Sequence, residues 1–141
     1  MFEYKVETKF KGINGTLPAS CDLYAVDILF KKNKIDIEQG WATDNIKEAN
    51  VLVTSEYKFK TLVYLDLDVP KDDSKHFYTI SINRVGETVE LARSAKEALE
   101  KASKYFEIIV HAFQEVSDIR QANAVVTNVD TDKKHLYFLN A

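Results

Sequence analysis

Asp66 and Asp68 end an alternating apolar run, and Asp72 and Asp73 follow beyond Pro70. On a strand, a spacing of two sets Asp66 and Asp68 side by side on one sheet face, where hard oxygen donors can hold Mg²⁺. His76, read on a facing strand, would add a nitrogen donor, so Asp66, Asp68 and His76 are the metal-ligand candidates of this chain. Glu107, His111 and Glu115 are spaced four apart, one turn each on a helix, and could offer nitrogen and oxygen donors to zinc or iron. No H-E-x-x-H pattern and no second His-bearing segment completes that set. Cys21 stands beside Asp22 in an acidic and apolar setting that disfavours a thiolate, so it reads as a small buried residue rather than a nucleophile.

The D-x-D after a hydrophobic strand resembles the phosphoryl-transfer enzymes of the haloacid-dehalogenase type. It departs from them at Pro70, where that pattern has Thr or Val, and in its place within the chain. Gly12, Gly15, Gly40 and Gly86 are too dispersed for a phosphate loop or a dinucleotide fingerprint. The expectation is therefore no catalytic residue and no cofactor. His76 and His135 each stand beside a lysine at a strand boundary.

Tyr57-Lys58-Phe59-Lys60 interleaves aromatics with cations, as single-strand binders do. Read as a strand, however, period two turns Tyr57 and Phe59 into the core with Val63 and Leu65 and sends the lysines outward. A net charge of −3 and a pI near 5.6 also lack the concentrated basic surface that a phosphate backbone requires. Nucleic acid is not the expected partner. No run approaches the ~20 apolar residues of a membrane helix, and the alternation of the first ten residues predicts no signal peptide there. One cysteine among 141 residues excludes an intrachain disulfide. The cytoplasm is the expected compartment.

These residues must be positioned by ordinary elements. Phe2, Tyr4, Val6, Thr8 and Phe10 alternate with Glu3, Lys5, Glu7 and Lys9, which predicts a half-buried strand closed by a turn at Asn14-Gly15. Residues 17–31 fit either a helix or a strand; the alternation of Tyr24, Val26, Ile28 and Phe30 favours a strand over 22–31. Val51 to Val69 reads as strand with a bend near Thr54-Ser55-Glu56, paired with His76 to Ile82. Ser94 and Glu97 form a capping box. Ala98, Ala102, Tyr105, Ile109, Ala112, Val116 and Ile119 then follow at steps of three and four, predicting one long helix over about 94–121. Ala124 to Val129 and Leu136 to Leu139 close the chain as strands. No internal repeat is evident.

The expected architecture is one α+β domain spanning residues 1–141. Its antiparallel sheet of about four to six strands carries the long amphipathic helix across one face, and strands grouped before a helix argue for this class. Tyr105, Ile108, Val110 and Phe113 make the middle of that helix apolar over more of its circumference than one sheet covers. The expected function is a non-enzymatic protein-interaction module that is homo-oligomeric or docks a protein partner: an adaptor, a chaperone-like protein, or a phage or mobile-element inhibitor of a host factor. Strands followed by a long helix is also the arrangement of SecB-type export chaperones, an analogy of fold alone. The alternatives are a small metal-dependent enzyme using Asp66 and Asp68, or a nucleic-acid-associated protein using Lys58 and Lys60.

Overall fold

The computed structural model describes Met1 to Asn140. Strand β1 (Phe2–Thr8) buries Tyr4, Val6 and Thr8 on one face, as its alternation requires. It reverses into β2 (Gly15–Ala19), and the positive φ of the connection falls on Gly12, at 69°, rather than on Asn14 or Gly15. Asn14 serves the turn through its side chain instead, its Oδ1 accepting the Thr8 N–H at 3.0 Å. Helix α1 (Asp22–Lys32) follows, where alternation had suggested a strand. Ala25, Val26, Leu29 and Phe30 are buried at helical spacing, so the period of 3.6 wins over the competing period of two.

Strand β3 (Gln39–Ala42) precedes β4 (Val51–Ser55) and β5 (Lys60–Asp66). The bend expected near residues 54–56 is a complete reversal. Lys58 takes a φ of 69°, Lys58 N donates to Ser55 O at 2.9 Å, and Ser55 N donates to Phe59 O at 2.8 Å. The sheet is antiparallel in the order β2-β1-β4-β5-β3, with α1 on the face that carries Val6, Val51, Val53, Val63 and Leu65.

The remainder is a second sheet, not the partner of the first. Strand β6 (His76–Ile82) pairs with β7 (Gly86–Ala92) and with β9 (Ala124–Asn128), not with residues 51–69. Helix α2 (Ala95–Tyr105) starts where the capping box put it, Ser94 Oγ accepting the Glu97 N–H at 3.1 Å. It ends far short of residue 121. Glu107 adopts a φ of 58°, and Ile108 N donates to Ser103 O at 3.0 Å, the six-to-one bond of a Schellman stop. Ile108, Ile109 and Val110 are β-branched and stiff, which opposes continuation of the helix. The chain resumes as β8 (Ala112–Val116), then β9 and β10 (Lys134–Asn140), giving the order β7-β6-β9-β10-β8. The architecture is thus two five-stranded antiparallel sheets, each with one short helix, and not one sheet under a long helix.

The chain divides into two compact units, Met1–Asp73 and Ser74–Ala141. Each runs strand, strand, α-helix, strand, strand, strand, with one 3-10 turn (Ile119–Gln121) between β8 and β9 of the second, and the two sheet orders correspond strand for strand. The likeness reaches single hydrogen bonds. In the first unit the Asn50 side chain brackets Leu65, donating to its carbonyl and accepting from its N–H, both at 2.9 Å. In the second, Asn123 brackets Leu139 in the same way at 3.0 and 2.7 Å. The backbone of Asn50 also links Lys9 N and Val63 O, as that of Asn123 links Asn83 N and Tyr137 O. Helix α1 stops as α2 does, with Lys34 at a φ of 59° and Ile35 N on Phe30 O at 3.0 Å. Equivalent positions lie 73 or 74 residues apart (Asn50 and Asn123, Leu65 and Leu139), an internal repeat of structure.

Candidate functional site

The β4–β5 hairpin carries Tyr57 and Phe59 at its tip, and the tip meets the start of β1. Because the chain reverses here, Tyr57 and Phe59 leave the alternation that would have turned them inward. They are 65% and 75% exposed, which corrects their reading as core residues. The Phe2 and Tyr57 rings stand edge to face, 5.6 Å apart at 71°. Together with Phe59 they rim a cleft of about 290 Å³.

One carboxylate lines the cleft. Asp22, in the first turn of α1, accepts the Thr61 hydroxyl on Oδ2 at 2.6 Å and the Leu23 N–H on Oδ1 at 2.8 Å. Both bonds hold the carboxylate in place and leave each oxygen a further lone pair. Glu56, beside Tyr57 in the hairpin tip, is fixed by Glu3 N donating to its Oε1 at 3.1 Å and by its own N–H donating to Glu3 O at 3.0 Å. Tyr4 lines the wall, buried among core side chains. Burial raises its hydroxyl above the ordinary tyrosine value, and the charges of Asp22, Cys21 and Glu56 push the same way. Cys21 lies exposed at the cleft rather than buried as expected.

Tyr78 and Tyr137 in the second unit are likewise raised, chiefly by burial. In all three cases the folded state favours the neutral phenol. Their contribution is therefore complete below the unfolded tyrosine value of ~10 and declines as pH climbs through the higher folded values. Urea midpoints should hold steady to about pH 9.5 and fall above it. Replacing Tyr4, Tyr78 or Tyr137 with Phe should flatten part of that fall. A wild-type midpoint that stays level to about pH 12 would contradict the assignment.

None of the metal candidates lines this cleft. Asp66 is exposed at the end of β5, on the sheet face away from α1, and Asp68 is exposed in the segment beyond. His76 begins β6 in the second unit, its Nδ1 2.6 Å from Asp130 Oδ2. Among the described residues no three His, Cys, Asp or Glu side chains gather as a metal-holding group. Glu107, His111 and Glu115 share no helix face. Glu107 is past the end of α2, His111 N donates to Asn140 O at 2.7 Å, and Glu115 sits in β8 with Oε1 3.4 Å from His135 Nδ1.

The docking candidates of the expected long helix also move. Ile108, Val110 and Phe113 are partly buried against the core of their own unit, and Tyr105 stands edge to face with Phe106 at 5.2 Å. The surplus apolar circumference was a product of reading helix and strand as one helix. Ile109 alone of that stretch is strongly exposed, at 78%.

Sequence reasoning missed the cleft because the turn at Glu56–Phe59 contains no Gly, Pro or Asn. One signal was available: two aromatics between Glu56 and Lys60 fit a hairpin tip as well as a strand. Among the described residues no helix is long and apolar enough to cross a membrane. Comparison with protein-family models, with curated proteins and with solved structures finds no match.

Proposed function

We propose that the chain is a non-enzymatic protein-interaction module, and that the aromatic end of its first unit is the surface it presents. The exposure of Tyr57 and Phe59 beside Phe2 carries this reading. Large rings left in water cost hydrophobic free energy that only a partner recovers, and such rings are the common anchors of protein interfaces. The carboxylates of Asp22 and Glu56 near them oppose a phosphate backbone, which argues against the nucleic-acid alternative. Self-association through this end is the simplest form of the proposal, and it makes the chain a homo-oligomer.

The double variant Tyr57→Ser/Phe59→Ser tests it. Both positions are exposed, so the unfolding free energy should fall by less than about 1 kcal/mol. Sedimentation velocity should show concentration-dependent mass for the wild type and a constant monomer for the variant. A photo-crosslinking residue at position 59 should form protein adducts in a native lysate, whereas one at the exposed Phe138 should not. A monomeric wild type that forms no adduct at position 59 would remove the proposal.

A further inference from the structure

The cleft of Phe2, Tyr57 and Phe59 differs sharply from its counterpart in the second unit, and the difference points to a ligand. Tyr4 faces Leu17 and Ser55 across the ladder, and Tyr78 faces Glu90 and Asn128 in the same positions. Counting from these, Phe2 corresponds to His76 and Tyr57 to Asp130. The contact that is a ring pair at 5.6 Å in the first unit is a His–Asp pair at 2.6 Å in the second. Asp22 corresponds to Ala95, and Cys21 to the capping Ser94. The second unit thus fills this place with a polar contact internal to itself. The first lines it with rings and with one carboxylate.

Aromatic faces carry negative potential, and a fixed carboxylate beneath them adds a full charge. Such a site rejects anions and attracts a cation whose body is flat and weakly hydrated. A guanidinium fits both demands: it stacks on rings and donates paired N–H groups to a carboxylate, whereas a lysine ammonium is a compact, strongly hydrated charge. The cleft volume of about 290 Å³ matches a side chain rather than a folded element. Lys60 does not compete for it, because it lies in register with Thr54 on the opposite sheet face, while Thr61 lies on the cleft face.

Building on the docking role proposed above, we infer that this cleft receives an arginine side chain of a partner protein. The guanidinium lies against Phe2, Tyr57 and Phe59 and donates to the Asp22 carboxylate.

The test is a nuclear magnetic resonance titration of the full chain with a glycine–serine peptide carrying one central arginine. The same peptide carrying citrulline, which keeps the shape and loses the charge, runs in parallel. Saturable shifts of Phe2, Tyr57 and Thr61 are expected with arginine, and affinity about ten-fold weaker with citrulline. Added salt should weaken the arginine peptide alone. Asp22→Asn keeps an oxygen for the Leu23 N–H and should bring arginine down to the citrulline level. If that variant fails to fold, Phe59→Ala, at an exposed position, should lower arginine affinity instead. Equal binding of the two peptides, no saturable shift with either, or tighter binding of a single-stranded oligonucleotide would each overturn the inference. Adducts at position 59 without any preference for arginine would leave the docking role standing and remove only this assignment.

Discussion

Phe30→Ala lowers the unfolding free energy by about 3–5 kcal/mol, the usual range for emptying a fully buried phenylalanine site. Phe30 is 0% exposed near the end of α1 and stands edge to face with Phe10, itself 0% exposed, at 5.9 Å and 86°. Removing the ring forfeits its transfer free energy and leaves a void that neighbours such as Phe10 fill only in part, since packed side chains relax incompletely. The backbone is not at fault, because Ile35 N still finds the carbonyl of residue 30. Phe30→Leu should therefore recover most of the loss, separating packing from helix termination. Urea unfolding followed by circular dichroism decides it, and a loss under about 1 kcal/mol would show that this core collapses freely. The corresponding position in the second unit is Ser103, whose hydroxyl donates to Leu99 O at 2.9 Å, so the two cores reach closure with different contents.

Asn50→Ala should cost about 2–4 kcal/mol, because it strands a donor and an acceptor together. Asn50 is 3% exposed, and its amide supplies both partners of the Leu65 backbone where the β4–β5 ladder ends. Alanine leaves Leu65 N–H and C=O without these bonds inside the unit, a larger penalty than losing one bond whose ends stay in water. Asn50→Asp offers no repair: a carboxylate accepts from Leu65 N but cannot donate to Leu65 O. Both variants should lose stability in urea, and hydrogen exchange at Leu65 should accelerate. Asn123→Ala should follow the same pattern with a smaller loss, since Asn123 is only half-buried. Retained protection at Leu65 in Asn50→Ala would refute the bracket's role.

The sequence was informative where one periodicity stood alone. Phe2 to Thr8 alternates without competition and forms β1, and Ser94 with Glu97 marks the start of α2. Ala124, Val126 and Asn128 share one parity, and all three are buried along β9. It misled where two periods coincide. The steps from Ala98 to Ile119 suit a helix, but β-branched residues at 108–110 and a left-handed Glu107 end it, and Phe113 then turns inward as a strand residue. The reverse error affects residues 22–31, where Tyr24 and Ile28 mimic a strand. Several turns were hard to see because their positive φ values fall on Lys34, Lys58, Arg84, Glu107 and Asp132 rather than on glycine, and most of these carry no turn signature. The cleft was hidden for this reason: only the Lys58 reversal brings Tyr57 and Phe59 out. The repeat escaped because the matching types are scattered and the offset shifts between 73 and 74, among them Tyr4 with Tyr78, Ala25 with Ala98, Asn50 with Asn123, Val53 with Val126, Thr54 with Thr127 and Leu65 with Leu139.

The paired asparagine brackets bear on how such a chain can change over generations. Each secures its strand by gripping a main-chain N–H and C=O, which every residue but proline carries, so the residue it grips can change its side chain without losing these bonds. A duplicated frame anchored this way can drift in surface chemistry in one copy while the other stays as it was. A ring-lined mouth in one half and a closed imidazole–carboxylate pair in the other are what that latitude permits.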